Sequence, residues 1–183
     1  MPAKNTKYEY TGFPYFENLI KKKSKSKINN QVLFISQSPV QEQLIEIAYH
    51  LAKKNKMFDV CFKFHPNERI KEKSIFIVEK SKSLLNFTLV QNIQVDIYDL
   101  LSSAEFIVGV YSTSIFEALA FKCKPILINL PGIENMESII NSGTAAVAED
   151  EDDIYEIIKK HTFTPMNTQI FFENLHKMNE SHQ

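Results

Sequence analysis

From residue 31 onward, short apolar runs alternate with amphipathic segments, and no other feature limits the possible folds as strongly. A chain that repeats strand, helix, strand can bury both kinds of apolar face only by packing helices on a sheet. The runs "QVLFIS" (31–36), "FDVCFKF" (58–64), "FTLVQ" (87–91), "EFIVGVY" (105–111), "KPILINLP" (124–131) and "TAAVAED" (144–150) read as strands. "EFIVGVY" is apolar almost throughout, as expected of a central strand in a parallel sheet with helices on both faces. The expectation is an α/β fold: a Rossmann-like, doubly wound parallel sheet of about six strands, with right-handed crossovers and ligands beyond the strands' carboxyl ends.

The intervening segments carry helix signals. Ser38 is a candidate N-cap with Pro39 at the first helical position, and the spacing predicts a helix over about 39–55. A second helix is predicted near 70–82. Asp96 can cap "IYDLLSSA", whose Ile97, Leu100, Leu101 and Ala104 form one apolar stripe. "SIFEALAF", "NMESIINSG" stopped by Gly143, "DDIYEIIKKH" and "TQIFFENLHKM" read as further helices. The chain divides into a polar, basic lead-in over 1–30, a core domain over 31–161, and a C-terminal helix and tail over 162–183.

With 183 residues and 44% hydrophobic content the chain can bury one sizeable core. A net charge of -1 gives no general pull toward nucleic acid or anionic lipid, so any anion site must be local. The run "KKKSKSK" (21–27) lacks an accompanying apolar face and reads as a solvated helix end. No stretch is long and apolar enough to span a bilayer, and the expected location is the cytoplasm. Cys61, inside a strand, and Cys123, between two lysines, show neither a disulfide framework nor metal spacing; no metal site is expected.

Loops that follow successive strands of such a sheet converge on one edge, and three of them carry polar residues without an obvious core role. They are Ser36, Gln37 and Ser38 after the first strand, Lys63 with His65, Pro66 and Asn67 after the second, and Tyr111, Ser112, Thr113 and Ser114 before a helix. In the last set the helix's free amides and dipole add to the hydroxyl donors, as a phosphate cradle requires. The chain has only 4 glycines and no Walker or dinucleotide fingerprint. Each candidate has a plainer role: Ser112, Thr113 and Ser114 can simply cap, Lys63 can snorkel or pair with a carboxylate, and His65 can serve its own turn. Glu117, three residues beyond Ser114, is either a capping-box carboxylate or an acceptor for ribose hydroxyls.

The stretch "KFHP" (63–66), followed by "DIYDLLSSAEFIVGVYSTSIFEALAFKCKPILINLP" (96–131), resembles the carboxyl-terminal, donor-binding half of GT-B glycosyltransferases. It is most similar to bacterial sialyltransferases and polysialyltransferases, with their His-Pro and Ser-Ser/Thr motifs, and to capsule and teichoic-acid polymerases. The likeness runs from about residue 30 to 160, and "TGFPYFENL" near the start looks like the segment leading in from a first domain. The resemblance implies that His65 is the catalytic, phosphate-facing histidine and that Ser112, Thr113 and Ser114 supply the hydroxyls. Glu117 would be the ribose-side carboxylate, and Ser36, Gln37, Lys63 and Pro66 would complete the nucleotide site. It also implies a CMP- or UDP-linked sugar as substrate with no resident cofactor, a glycan acceptor, and a missing N-terminal domain that brings the base. The work would lie in surface polysaccharide synthesis, free in the cytoplasm or peripheral at the inner face of the membrane. Two alternatives stand beside it: a UDP-N-acetylglucosamine 2-epimerase-like domain, which usually has "SGG" where this chain has "STS", and a non-catalytic nucleotide-binding or scaffold module.

Overall fold

The structure, a computed structural model, describes residues 14–23, 26–91 and 95–160. The helix expected over "TQIFFENLHKM", and Thr11 to Phe13 of the lead-in motif, lie outside the described residues. Six strands form one sheet: β1 (Ile28–Ile35), β2 (Asp59–Lys63), β3 (Phe87–Val90), β4 (Ala104–Gly109), β5 (Lys124–Ile128) and β6 (Ala146–Ala148). Their order is β3-β2-β1-β4-β5-β6, and every neighbouring pair is parallel. The winding reverses between β1 and β4, so a crevice opens beyond their carboxyl ends.

Strand residues alternate between two cores, which is why the runs read as continuously apolar. Val32, Phe34, Val60, Phe62, Phe106 and Val108 face one side and pack with α2 (Gln41–Lys54), α3 (Glu72–Ser81) and α7 (Glu151–Lys160). Leu33, Ile35, Cys61, Ile107 and Leu127 face the other, against α1 (Pro14–Lys23), α4 (Ile97–Ser103), α5 (Thr113–Ala120) and α6 (Glu137–Asn141). Phe34 and Phe62 are fully buried and stacked, with centroids 6.3 Å apart. Burying such a side chain stabilises by about 1.5–3 kcal/mol. Both cysteines are buried and free, and burial pushes the Cys61 thiol up to about 12, which leaves no nucleophile there.

Four features depart from the sequence reading. β1 begins at Ile28, inside the expected lead-in, with Asn30 at φ 61 where its register against β4 is irregular. α1 also belongs to the packed body, since Phe16 is buried beside Tyr98 and Phe121. Ser38 is not an N-cap: a 3-10 turn at Ser38–Val40 precedes α2, its cap position is Gln37, and no side chain caps it. β4 stops at Gly109, where the chain passes close under α5; a Cβ there would lie 3.2 Å from Ile115 Cδ1. Tyr111 has therefore left the ladder, and its N–H is free to bond elsewhere.

Candidate functional site

Strand alternation places Lys63. Phe62 and Phe64 fill one core, so Lys63 faces the other together with Cys61, in register with Ile35 on one side and Val90 on the other. It is the last residue of β2, where α4 and α5 leave a gap above the sheet. That gap is a cavity of about 440 Å³ whose lining includes Ser36, Lys63, His65, Asp96, Ser112 and Ser114.

Lys63 is only 5% exposed, and its ammonium donates to the adjacent Phe64 carbonyl at 3.2 Å. No carboxylate among the described residues pairs with it, so the plain reading of a paired or snorkelling amine does not hold. Burial lowers its pKa below 10.5. Beside it Ser36, 1% exposed, donates its backbone N–H to the Lys63 carbonyl at 2.9 Å, while its hydroxyl has no partner. The cavity floor thus carries two buried polar groups with unmet bonding capacity. Buried groups of this kind are rare in folded chains, and a buried charge normally has a counter-charge.

The rim is built from the other two loops. His65 is exposed, and its Nδ1 accepts the Asn67 N–H at 3.4 Å, which leaves the proton of the neutral ring on Nε2. Pro66 also lines the cavity. Ser112 is the N-cap of α5, accepting from Ser114 N at 3.3 Å, so its own hydroxyl proton remains available to donate. Ser114 lies at the second helical position, and Glu117 is consequently not the partner of a capping box.

The remaining candidates separate from this cluster. Thr113 is exposed and outside the lining of the cavity. Glu117 accepts from Tyr98 Oη at 3.3 Å on the side of α4, and burial raises its carboxyl above 4.5 despite that bond. Gln37 acts as a brace: its Oε1 accepts the freed Tyr111 N–H at 3.0 Å and ties the loop after β1 to the loop after β4 across the crevice. Asp96 was legible as a cap but not as a wall of the cavity; it caps α4 through Tyr98 N and pairs with Lys23 at 2.8 Å. Burial alone would raise its carboxyl, but the Lys23 ammonium and the Tyr98 N–H hold it below the usual range. Among the described residues no group of His, Cys, Asp and Glu could hold a metal ion, and no helix is long and apolar enough to cross a membrane.

The arrangement suits an oxyanion. An ammonium and a hydroxyl lie at the floor, with an imidazole, two hydroxyls and the amino end of α5 at the rim, all beyond the switch point of the sheet.

No family model and no curated protein matches this sequence. Solved structures do. The UDP-GlcNAc 2-epimerase of Methanocaldococcus jannaschii, solved with UDP-GlcNAc and UDP, is similar with a TM-score of 0.56 at 14% identity, over 90% of this chain and 48% of that one. A candidate UDP-N-acetylglucosamine 2-epimerase of Listeria monocytogenes gives a TM-score of 0.54 at 12% identity, over 87% of this chain and 42% of the other. At these identities the likeness is one of fold, and the chain spans about half the length of the structures it matches. The six-stranded, parallel Rossmann-like sheet of this chain is consistent with one half of a GT-B fold.

Proposed function

We propose that this chain is the nucleotide-sugar-binding half of a GT-B-type enzyme, with the nucleotide's phosphate seated over Lys63. The observation that carries the reading is the buried Lys63, which pairs with no carboxylate among the described residues, beside the Ser36 hydroxyl, which has no partner among them either. A phosphate oxygen there would supply the missing counter-charge and the missing acceptor together, in a site shielded from water where such bonds are strong. His65, Ser112 and Ser114 line the same space from the rim.

In a sugar transfer, negative charge grows on the leaving phosphate, and fixed donors aimed at it lower the barrier. Lys63 and His65 are the charge-stabilising groups in this reading, with His65 donating a hydrogen bond from its Nε2–H to the departing oxygen while keeping its proton. The base that activates a glycan acceptor would come from a second domain. On the motif resemblance the donor is CMP-linked and the product a surface polysaccharide, made in the cytoplasm or at the inner face of the membrane.

A second reading is favoured by the two solved structures described above, a 2-epimerase and a candidate for that activity: the chain binds a UDP-linked sugar and belongs to an epimerase. Calorimetric titration with CMP, CDP, UMP and UDP separates the two. We expect saturable binding, weakened about tenfold to a hundredfold in Lys63→Met, as loss of a charge-assisted bond requires. A cytidine preference supports the transferase, and a uridine preference supports the epimerase or a UDP-sugar transferase. No saturable binding of any of the four sinks both.

A further inference from the structure

His65 is the wall between two cavities. On its far side from Lys63 lies a second one, of about 620 Å³, lined by Gln37, His65, Asn67, Arg69, Lys71 and Tyr111 among others. Nothing in the nucleotide reading uses it.

Its cationic segment is held in place from beneath. Gln41, fully buried at the start of α2, donates from Nε2 to the Arg69 carbonyl at 2.9 Å and accepts the Lys71 N–H on Oε1 at 2.7 Å. One buried amide thereby clamps the backbone on both sides of Ile70, so Arg69 and Lys71 project from a rigid stretch of extended chain. Among the described residues the Arg69 guanidinium has no carboxylate partner, and Lys71 Nζ donates to the Pro39 carbonyl at 3.4 Å without pairing with a carboxylate. Glu68 is in the same wall, but its carboxylate is turned inward: Oε2 accepts the His65 N–H at 3.0 Å and Oε1 is out of contact with solvent. The lining therefore carries two cations against one carboxylate, and the cations are the charges left on its open side.

Tyr111 supplies a fixed aromatic surface. Its N–H is held by Gln37, and its ring is seated directly on Gly132, where a Cβ would come within 2.2 Å of the ring; Gly132 has φ +104, which suits glycine. An aromatic plate, two side-chain amides and a cation pair together fit a polar ring that carries an acid. Arg is the side chain best shaped to grip a carboxylate or phosphate with two parallel bonds.

We propose that this second cavity recognises an acidic sugar group, bearing a carboxylate or a phosphate, presented to His65 from the side opposite the nucleotide. That the group is a sugar rests on the nucleotide-sugar reading above; the cation pair and its clamp do not.

The test is a titration of the nitrogen-15-labelled full chain with glucuronic acid, glucose 6-phosphate and glucose, followed by backbone amide shifts. The expected result is saturable shifts at Asn67 to Lys71 and Tyr111 with one or both acids, and none with glucose. Which acid binds tells carboxylate from phosphate. The double variant Arg69→Glu/Lys71→Glu should weaken that binding about tenfold or more and leave UDP and CMP titrations as in the wild type. Arg69→Gln/Lys71→Gln serves the same purpose should the charge reversal disturb folding. The proposal is overturned if neither acid gives saturable shifts there, if glucose does as well as the acids, or if the variants keep full affinity. Acid binding here without nucleotide binding in the wild type would overturn the nucleotide reading and leave this site standing.

Discussion

The two ends of the sheet are built by opposite rules. At the amino ends of the strands the polar groups satisfy one another: Gln31 Nε2 donates to Asp59 at 3.0 Å, Glu105 accepts from Asn30 N at 2.8 Å and pairs with Lys124 at 2.9 Å, and Lys27 Nζ donates to the Leu101 carbonyl at 2.8 Å. At the carboxyl ends, a few residues along the same strands, Lys63 has no counter-charge and the Ser36 hydroxyl no partner among the described residues. The difference teaches where this molecule gives up stability. One end closes its own bonds, and the other leaves two buried polar groups without a partner among the described residues, as the proposed phosphate site requires.

The largest stability effect should come from breaking the closed end. Glu105→Ala removes two bonds to a carboxylate and leaves the Asn30 N–H without its acceptor, a loss of about 2 kcal/mol. Urea denaturation reads that loss, and nucleotide affinity in the same variant should be unchanged. A parallel fall in affinity would mean that the two ends are coupled and the comparison is too simple.

The open end should respond with the opposite sign. Lys63→Met keeps the bulk of the side chain and removes a buried amine, so the ligand-free chain should gain on the order of 1 kcal/mol while losing phosphate binding. The pH dependence sharpens this. Because burial depresses the folded pKa of Lys63 below 10.5, the unfolded chain binds more protons at this position between those two values. Wild-type stability should therefore rise with pH across that window relative to Lys63→Met. Parallel stability curves for the two proteins would show that the amine costs nothing, and that its counter-charge comes from the protein itself.

Much of this contrast was legible in the sequence, for a physical reason. The six runs announced the sheet because residues facing two cores are apolar at successive positions, and the place of Ser36, Lys63 and Ser112 near the strands' carboxyl ends followed from the runs. What could not be read was which polar residue does what within a loop. Gln37 was expected to bind nucleotide; its Oε1 braces Tyr111, a contact across 74 positions that no local pattern encodes. Glu117 looked like a capping-box partner because Ser114 looked like the cap; the cap is Ser112, and the shift turns Glu117 toward Tyr98. Gln41 and Arg69 escaped notice entirely. The one available signal was a glutamine at the start of an amphipathic helix, where its burial depends on a loop 30 positions away.

Two hydroxyls at the open end test how finely the division holds. Ser112→Ala removes a side-chain cap from α5 and should cost about 1 kcal/mol whatever the ligand does, since capping and binding share that oxygen. Ser36→Ala should change stability by less than about 0.5 kcal/mol, or raise it slightly, because the hydroxyl it deletes bonds to nothing. Its effect belongs to the liganded state alone: nucleotide affinity should fall about threefold to tenfold, the worth of one neutral donor to a phosphate oxygen. A thermal scan with and without nucleotide separates the two serines, since Ser112→Ala lowers both midpoints and Ser36→Ala lowers only the liganded one. If Ser36→Ala instead lowers the ligand-free midpoint as far as Ser112→Ala does, its hydroxyl serves the fold, and Lys63 alone marks this end of the sheet as open.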